Sequence, residues 1–183
     1  MRSKMKLAIP LSLFGSTLLA AGVPTFASAE VLVDFGLSST RVSADIANAP
    51  SITSTTSSGY HVGAGVRRAL KQGSIGVRLE LQDVDSNGLI AVRALDYKHA
   101  FSERLSIGGF LGAARLDLAT PAYGYWLGGA LEYDFSPKWA VSFDLQIGDK
   151  LARDNLLPTD PQGGRPDNFY DLRGIGIYLS RRF

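Results

Sequence analysis

The chain has no cysteine among its 183 residues. No disulfide can hold it together, whatever the redox state of its compartment. After residue 30 no apolar run approaches the roughly 18 residues that mark a membrane helix, which excludes a helical membrane protein. Charge of one sign is also scarce. Nineteen Lys and Arg stand against 17 Asp and Glu, and Arg2, Lys4 and Lys6 lie in the first segment. The remainder carries 16 against 17, so the basic character gives no reason to expect nucleic acid. Histidine occurs twice, and no spacing of ligating residues suggests a metal or a cofactor.

A targeting segment comes first. Arg2, Lys4 and Lys6 form a positive start, Leu7 to Val23 is apolar, and Ala27-Ser28-Ala29 is a small-x-small cleavage pattern. Residues 1–29 are expected to be a cleaved signal peptide and 30–183 one domain.

That domain is patterned in strands. Val31, Val33, Phe35 and Leu37 alternate with Asp34, Gly36 and Ser38. The same period of two puts Tyr60, Val62, Ala64 and Val66 opposite His61 and Arg67. It puts Ile75, Val77, Leu79 and Leu81 opposite Arg78 and Glu80. Tyr123, Tyr125, Leu131 and Tyr133 oppose Trp126 and Glu132, and Trp139, Val141, Phe143 and Leu145 oppose Asp144. Such alternation marks a strand with one apolar face. Residues 89–99 and 105–116 break phase, at Arg93 and at Phe110, and a bulge would reconcile each. With the segment from about Phe169 to Phe183 the count is eight. The expected fold is all-β, an eight-stranded antiparallel up-and-down transmembrane β-barrel. A strand that ends the chain must pair, and pairing with the first strand closes the wall.

Aromatics fall in two groups. Tyr97, Phe101, Tyr133, Phe135, Trp139 and Phe183 lie near one set of turns. Tyr60, Tyr123, Tyr125, Phe169 and Tyr170 lie near the other. Two girdles are expected at two membrane–water interfaces. The connections expected at about 69–73, 100–104 and 134–138 are short. Those at about 39–58, 83–88, 116–122 and 149–168 include the two long ones. Short periplasmic turns and longer extracellular loops follow this pattern, which places both termini in the periplasm.

The Tyr-Asp-Phe-Ser-Pro-Lys-Trp turn at 133–139 and the terminal strand ending in Phe183 resemble the small outer-membrane barrel superfamily. That superfamily includes the OmpA transmembrane domain, OmpX and the opacity-type porin-like proteins. The resemblance implies the outer membrane of a Gram-negative bacterium and a terminal strand read by the insertion machinery. Its implied contacts are outer-membrane lipids and lipopolysaccharide, with a cell-surface ligand beside them and a monomeric state. Arg181 departs from the pattern, since its slot is usually apolar. The superfamily includes anchors, adhesins, weak pores and lipid-modifying enzymes, so fold does not decide function.

The expected lumen charges are Asp34, Arg67, Arg78, Glu80, Glu132 and Asp144, with Asp96 and Lys98 in the irregular strand. Eight strands leave room for little but side chains, so a salt-bridged plug is the leading expectation and a narrow ion or solute channel the alternative. A lipid A-modifying enzyme is the second alternative, resting on His61 near Ser57 and Ser58. His99 lies beside a periplasmic turn. No nucleophile–base pair is established, and no catalytic residue is assigned. The long loops are the expected contact surface, with Arg153 and Arg165 as donors to phosphate. The expected role is structural or surface-interacting.

Overall fold

The computed structural model describes residues 29–46, 53–118, 121–153 and 168–183. Residues 1–28 of the expected signal segment lie outside the described residues, as do Arg165 and the side chain of Arg153. Eight strands follow in order: β1 Ala29–Ile46, β2 Thr53–Leu70, β3 Gly73–Val84, β4 Asn87–Ala100, β5 Leu105–Leu116, β6 Ala122–Ser136, β7 Trp139–Arg153 and β8 Asn168–Arg182. Each pairs antiparallel with the next. β8 pairs with β1 from Leu32↔Arg182 to Ile46↔Asn168, which closes the barrel. The Phe183 amide extends this ladder by donating to the Val31 carbonyl at 2.9 Å.

The rim that holds Ala29 and Phe183 is called the lower rim, and its connections are residues 71–72, 101–104 and 137–138. At the upper rim the described connecting residues are 85–86, 117–118 and 121. The 85–86 turn is the tightest described connection there. Asp85 and Ser86 have φ of 53° and 64°, the left-handed pair that a two-residue hairpin of type I′ requires. Asn87 Nδ2 donates to the Asp85 carbonyl at 2.9 Å and Ser57 Oγ accepts from the Asp85 amide at 2.9 Å.

Two expectations from sequence need correction. Residues 39–58 are not a long loop. Ser39 to Ala44 pair with Ser58 to Thr53, and β1 pairs with β8 as far as Ile46. Ser and Thr fill this stretch because the strands continue past the apolar band, where the outer face is polar. The other long connection shrinks likewise, to residues 154–167. The bulge expected in 105–116 is also absent: β5 pairs with β6 without a register shift. Ile107 points out and is 51% exposed, while Phe110 points in and is 5% exposed. Both faces are apolar there, so no phase change is needed. Residues 89–99 do contain a bulge. The register of β4 shifts between Arg93 and Leu95, which lets Arg93 and Asp96 both face inward despite their odd spacing.

The upper half of the lumen is an apolar core. Leu89, Phe110, Leu116, Trp126, Leu151 and Leu172 meet there with Val84 and small alanines, and Val42, Leu118 and Tyr170 pack against them. Burying such side chains stabilises the fold by about 1.5–3 kcal/mol each. Leu116→Ala should therefore lower unfolding stability by about 2–5 kcal/mol. A urea titration in lipid vesicles, followed by tryptophan fluorescence, measures it.

Candidate functional site

Below the apolar core, the inward positions of all eight strands but β5 bring charges together. Two clusters form. In the upper one, Arg78 pairs with Asp34 at 3.2 Å and Asp96 at 3.1 Å. Arg93 pairs with Glu80 at 2.5 Å and Asp144 at 2.7 Å. Arg93 also lies 3.6 Å above the Phe110 ring, and Trp126 Nε1 donates to Glu80 at 3.0 Å. These two contacts join the charged zone to the apolar core above it. In the lower cluster, Glu132 accepts from Arg67 at 2.8 Å, Arg182 at 2.9 Å and Ser142 at 3.2 Å, and it also pairs with Lys98. Arg182 reaches Asp134 as well.

The inward charges nearly cancel. Five cations (Arg67, Arg78, Arg93, Lys98, Arg182) face six carboxylates (Asp34, Glu80, Asp96, Glu132, Asp134, Asp144). Taking a charge out of water costs several kcal/mol, and only good pairing offsets it. Each of these groups has at least one partner of opposite sign.

His61 belongs to the same wall. Its Nε2 lies 2.6 Å from Asp34 Oδ1, and its ring stacks on Tyr178 with centroids 3.9 Å apart. The two rings meet across Gly36, which pairs with both residues. A Cβ at Gly36 would strike the backbone of β8. Tyr178 Oη accepts from Gln146 Nε2 at 2.5 Å. Ser57 is occupied by the Asp85 amide, and Ser58 sits on the opposite face from His61 because their spacing is odd. The structure thus brings His61 to a carboxylate but to neither serine. Among the described residues no group of three or more ligating side chains could hold a metal ion.

The six lumen residues read from alternation are all buried inside. Three members of the clusters were missed. Arg93 was hidden by the bulge. Arg182 and Asp134 sit near strand ends, where period is short, although Arg182 alternates inward with Tyr178 and Ser180. The expected girdle aromatics point outward except Tyr170, which turns inward against the apolar core: Tyr97, Phe101, Tyr133, Phe135 and Phe183 are exposed near the lower rim and Trp139 half-buried. Tyr60, Tyr123 and Tyr125 are exposed on the upper part of the wall. The Arg181 guanidinium lies 4.8 Å from the Phe183 ring and 5.4 Å from that of Trp139. Cation–π contact at the rim accounts for a charge on this face.

The network makes a contrast testable by unfolding. Glu132→Gln leaves Arg67 and Lys98 without their common carboxylate and should cost about 3–5 kcal/mol. Arg115→Gln breaks an ion pair with Asp117 that is about two-fifths exposed on both sides and should cost about 0–1 kcal/mol. Urea midpoints of the two variants, measured side by side, decide it.

No protein-family model matches the chain, and no curated protein matches it. Solved structures do. Ail, the attachment invasion locus protein of Yersinia pestis, superposes with a TM-score of 0.54 at 11% identity, over 85% of this chain and 99% of Ail. A second structure of Ail, in complex with the heparin analogue sucrose octasulfate, gives 0.53 at 10% identity with the same shares. Neisserial surface protein A, NspA, gives 0.51 at 11% identity, over 85% of this chain and 97% of NspA. Likeness at such low identity speaks for architecture. In its fold, then, the chain is a closed eight-stranded antiparallel β-barrel, an architecture similar to that of Ail and NspA.

Proposed function

We propose that this chain is a Gram-negative outer-membrane barrel with a closed lumen, whose upper rim is the extracellular contact surface. The observation that carries this reading is the inversion of the wall. Leu37 is 71% exposed, Ile177 59% and Leu145 53%, whereas Arg93 is 0% exposed and Lys98 1%. A protein dissolved in water arranges these the other way round, since a contiguous apolar surface of this extent is a liability there. In hydrocarbon the same surface is at rest. The aromatics near both ends of the band suit the two interfaces. Both termini at the lower rim then lie in the periplasm, and the longer connections lie outside.

Filling supports closure. Trp126, Arg93, Tyr178, Lys98 and Leu116 all lie across the lumen with under 2% exposure. Eight strands give no more width than such side chains fill. The role is therefore structural and surface-interacting, with no transported solute. No catalytic role is proposed, because His61 is fully buried in the wall beside Asp34 and Tyr178 with neither Ser57 nor Ser58 bonded to it. The terminal strand is proposed to engage the insertion machinery, and the barrel to act as a monomer. The printed names of the similar structures, an attachment invasion locus protein and a surface protein, fit a cell-surface ligand. Arg153 and Arg165 stay proposed as anion donors at the upper rim.

Planar-bilayer recording tests closure. Purified protein that migrates as a heat-modifiable band should give no reproducible conductance steps. Regular open steps from such protein would establish the narrow channel instead.

A further inference from the structure

The outer face of the wall carries a second, separate constellation. Antiparallel pairing of β1 with β8 sets their outward residues side by side. Moving upward, Phe35 faces Leu179, Leu37 faces Ile177, Ser39 faces Ile175, and Arg41 faces Arg173. The last pair is two like charges directly opposite each other, with Cβ atoms about 5 Å apart. Such a pair is destabilising on its own. Both arginines are exposed. Among the described residues Arg41 donates only to Ser54 Oγ, at 3.1 Å, and neither arginine forms an ion pair. The nearest outward carboxylate on β8, Asp171, lies one row higher, where it accepts from the Lys150 amide at 3.1 Å.

Depth and surroundings say what completes the pair. Arg173 stands eight residues above Arg181 on β8. At about 3.3 Å per residue that is ~26 Å along the strand. A tilt of about 40° projects it to ~20 Å, about 5 Å short of the roughly 25 Å apolar band of such barrels, a gap that a long arginine side chain spans by reaching toward the head groups. Arg181 marks the lower edge of the band, so Arg41 and Arg173 stand at its upper edge, level with head groups. Immediately beneath them is an apolar groove of about 900 Å³ on the outer face of β2, β1, β8 and β7. Tyr60 and Phe143 flank Leu37 and Ile177 in its central row. Two guanidinium forks above an apolar trough match one ligand chemistry: a phosphate monoester or diester joined to acyl chains.

We propose that this face holds a phosphorylated, acylated lipid of the outer leaflet, with Arg41 and Arg173 closing on its phosphate and a chain lying in the groove. The phosphate supplies the negative charge that makes the arginine row stable, and bidentate Arg–phosphate bonds give it direction. The site rests on the outer-membrane reading above. It is distinct from the lumen and from the connections of the upper rim.

The test is native mass spectrometry of the purified barrel in detergent with three probes: bisphosphorylated lipid A, its dephosphorylated form and inorganic phosphate. Wild type and Arg115→Gln, an exposed arginine on another part of the wall, should retain the bisphosphorylated lipid. The Arg41→Gln/Arg173→Gln variant should lose at least about tenfold of that adduct. Each single variant should show an intermediate loss, and serves alone if the double variant does not fold. The dephosphorylated lipid should not be retained. Equal retention by the double variant would overturn the proposal, as would equal binding of the dephosphorylated lipid. Displacement of the lipid by equimolar inorganic phosphate would also overturn it, since the groove would then add nothing. Heat-modifiable migration of each sample reports the barrel independently. A folded variant that keeps its lipid removes only this site, whereas unmodifiable wild-type protein removes the membrane reading as well.

Discussion

Closure of the hydrogen-bond ladder between β1 and β8 is the constraint from which the other features descend. Hydrocarbon offers no partner to a backbone amide or carbonyl, and each one left unpaired costs several kcal/mol. An open sheet has two edges of such groups. Here the register Leu32↔Arg182 through Ile46↔Asn168 leaves none between these strands. Once the wall is closed, successive side chains must alternate between lipid and lumen. The lumen of eight strands is too narrow to hold bulk water beside side chains. Each inward charge of the two clusters finds a partner of opposite sign among its neighbours, whereas the buried polar atoms of Ser38, Thr40, Gln82 and Ser180 have no partner among the described residues.

Two solutions share that narrow space. The upper half is packed with apolar side chains as a soluble core is. The lower half pairs charges across strands distant in sequence, such as Arg67 with Glu132 and Arg93 with Asp144. Hydrophobic packing is the cheaper filling, since a buried pair returns little beyond its desolvation cost. Charges do something packing cannot. A one-residue slip of β4 would turn Arg93 toward lipid, and one of β6 would turn Glu132, each stranding its partners inside. The ion pairs therefore penalise wrong registers heavily, where a slipped leucine is cheap on either face. Asp34 extends the same logic to β2 through His61, and to β3 through Arg78.

Strand alternation made the wall legible from sequence. Ile75 to Gln82 and Trp139 to Ile147 alternate without a fault, and the inward charges on them are where period two puts them. Legibility failed wherever a residue's neighbours came from another strand. Phe110 broke the expected phase because an apolar residue was assumed to face outward, and only the fold reveals an apolar upper lumen. Ser39 to Ala44 read as loop because strand propensity and loop composition overlap in Ser and Thr. That misreading hid Arg41, which becomes meaningful only when its cross-strand partner Arg173 is known. Arg93 needed the bulge beside it, and Arg182 needed Glu132, fifty residues away in sequence.

The wall thus has three chemically separate regions: a filled lumen that holds the barrel in register, an apolar outer band, and a polar upper rim. Function in contact with the surroundings falls to the last two. The central claim is that the odd residues of β7 from Trp139 to Ile147 face lipid while the even ones face a closed interior. The chain's lack of cysteine makes this directly measurable with single spin labels at Val141, Ser142, Phe143, Leu145 and Gln146 in lipid vesicles. Labels at Val141, Phe143 and Leu145 should collide with dissolved oxygen and not with a water-soluble nickel chelate. Labels at Ser142 and Gln146 should be shielded from both. Chelate access at Ser142 or Gln146 would mean an open pore, and chelate access at Phe143 or Leu145 would mean a wall that faces water.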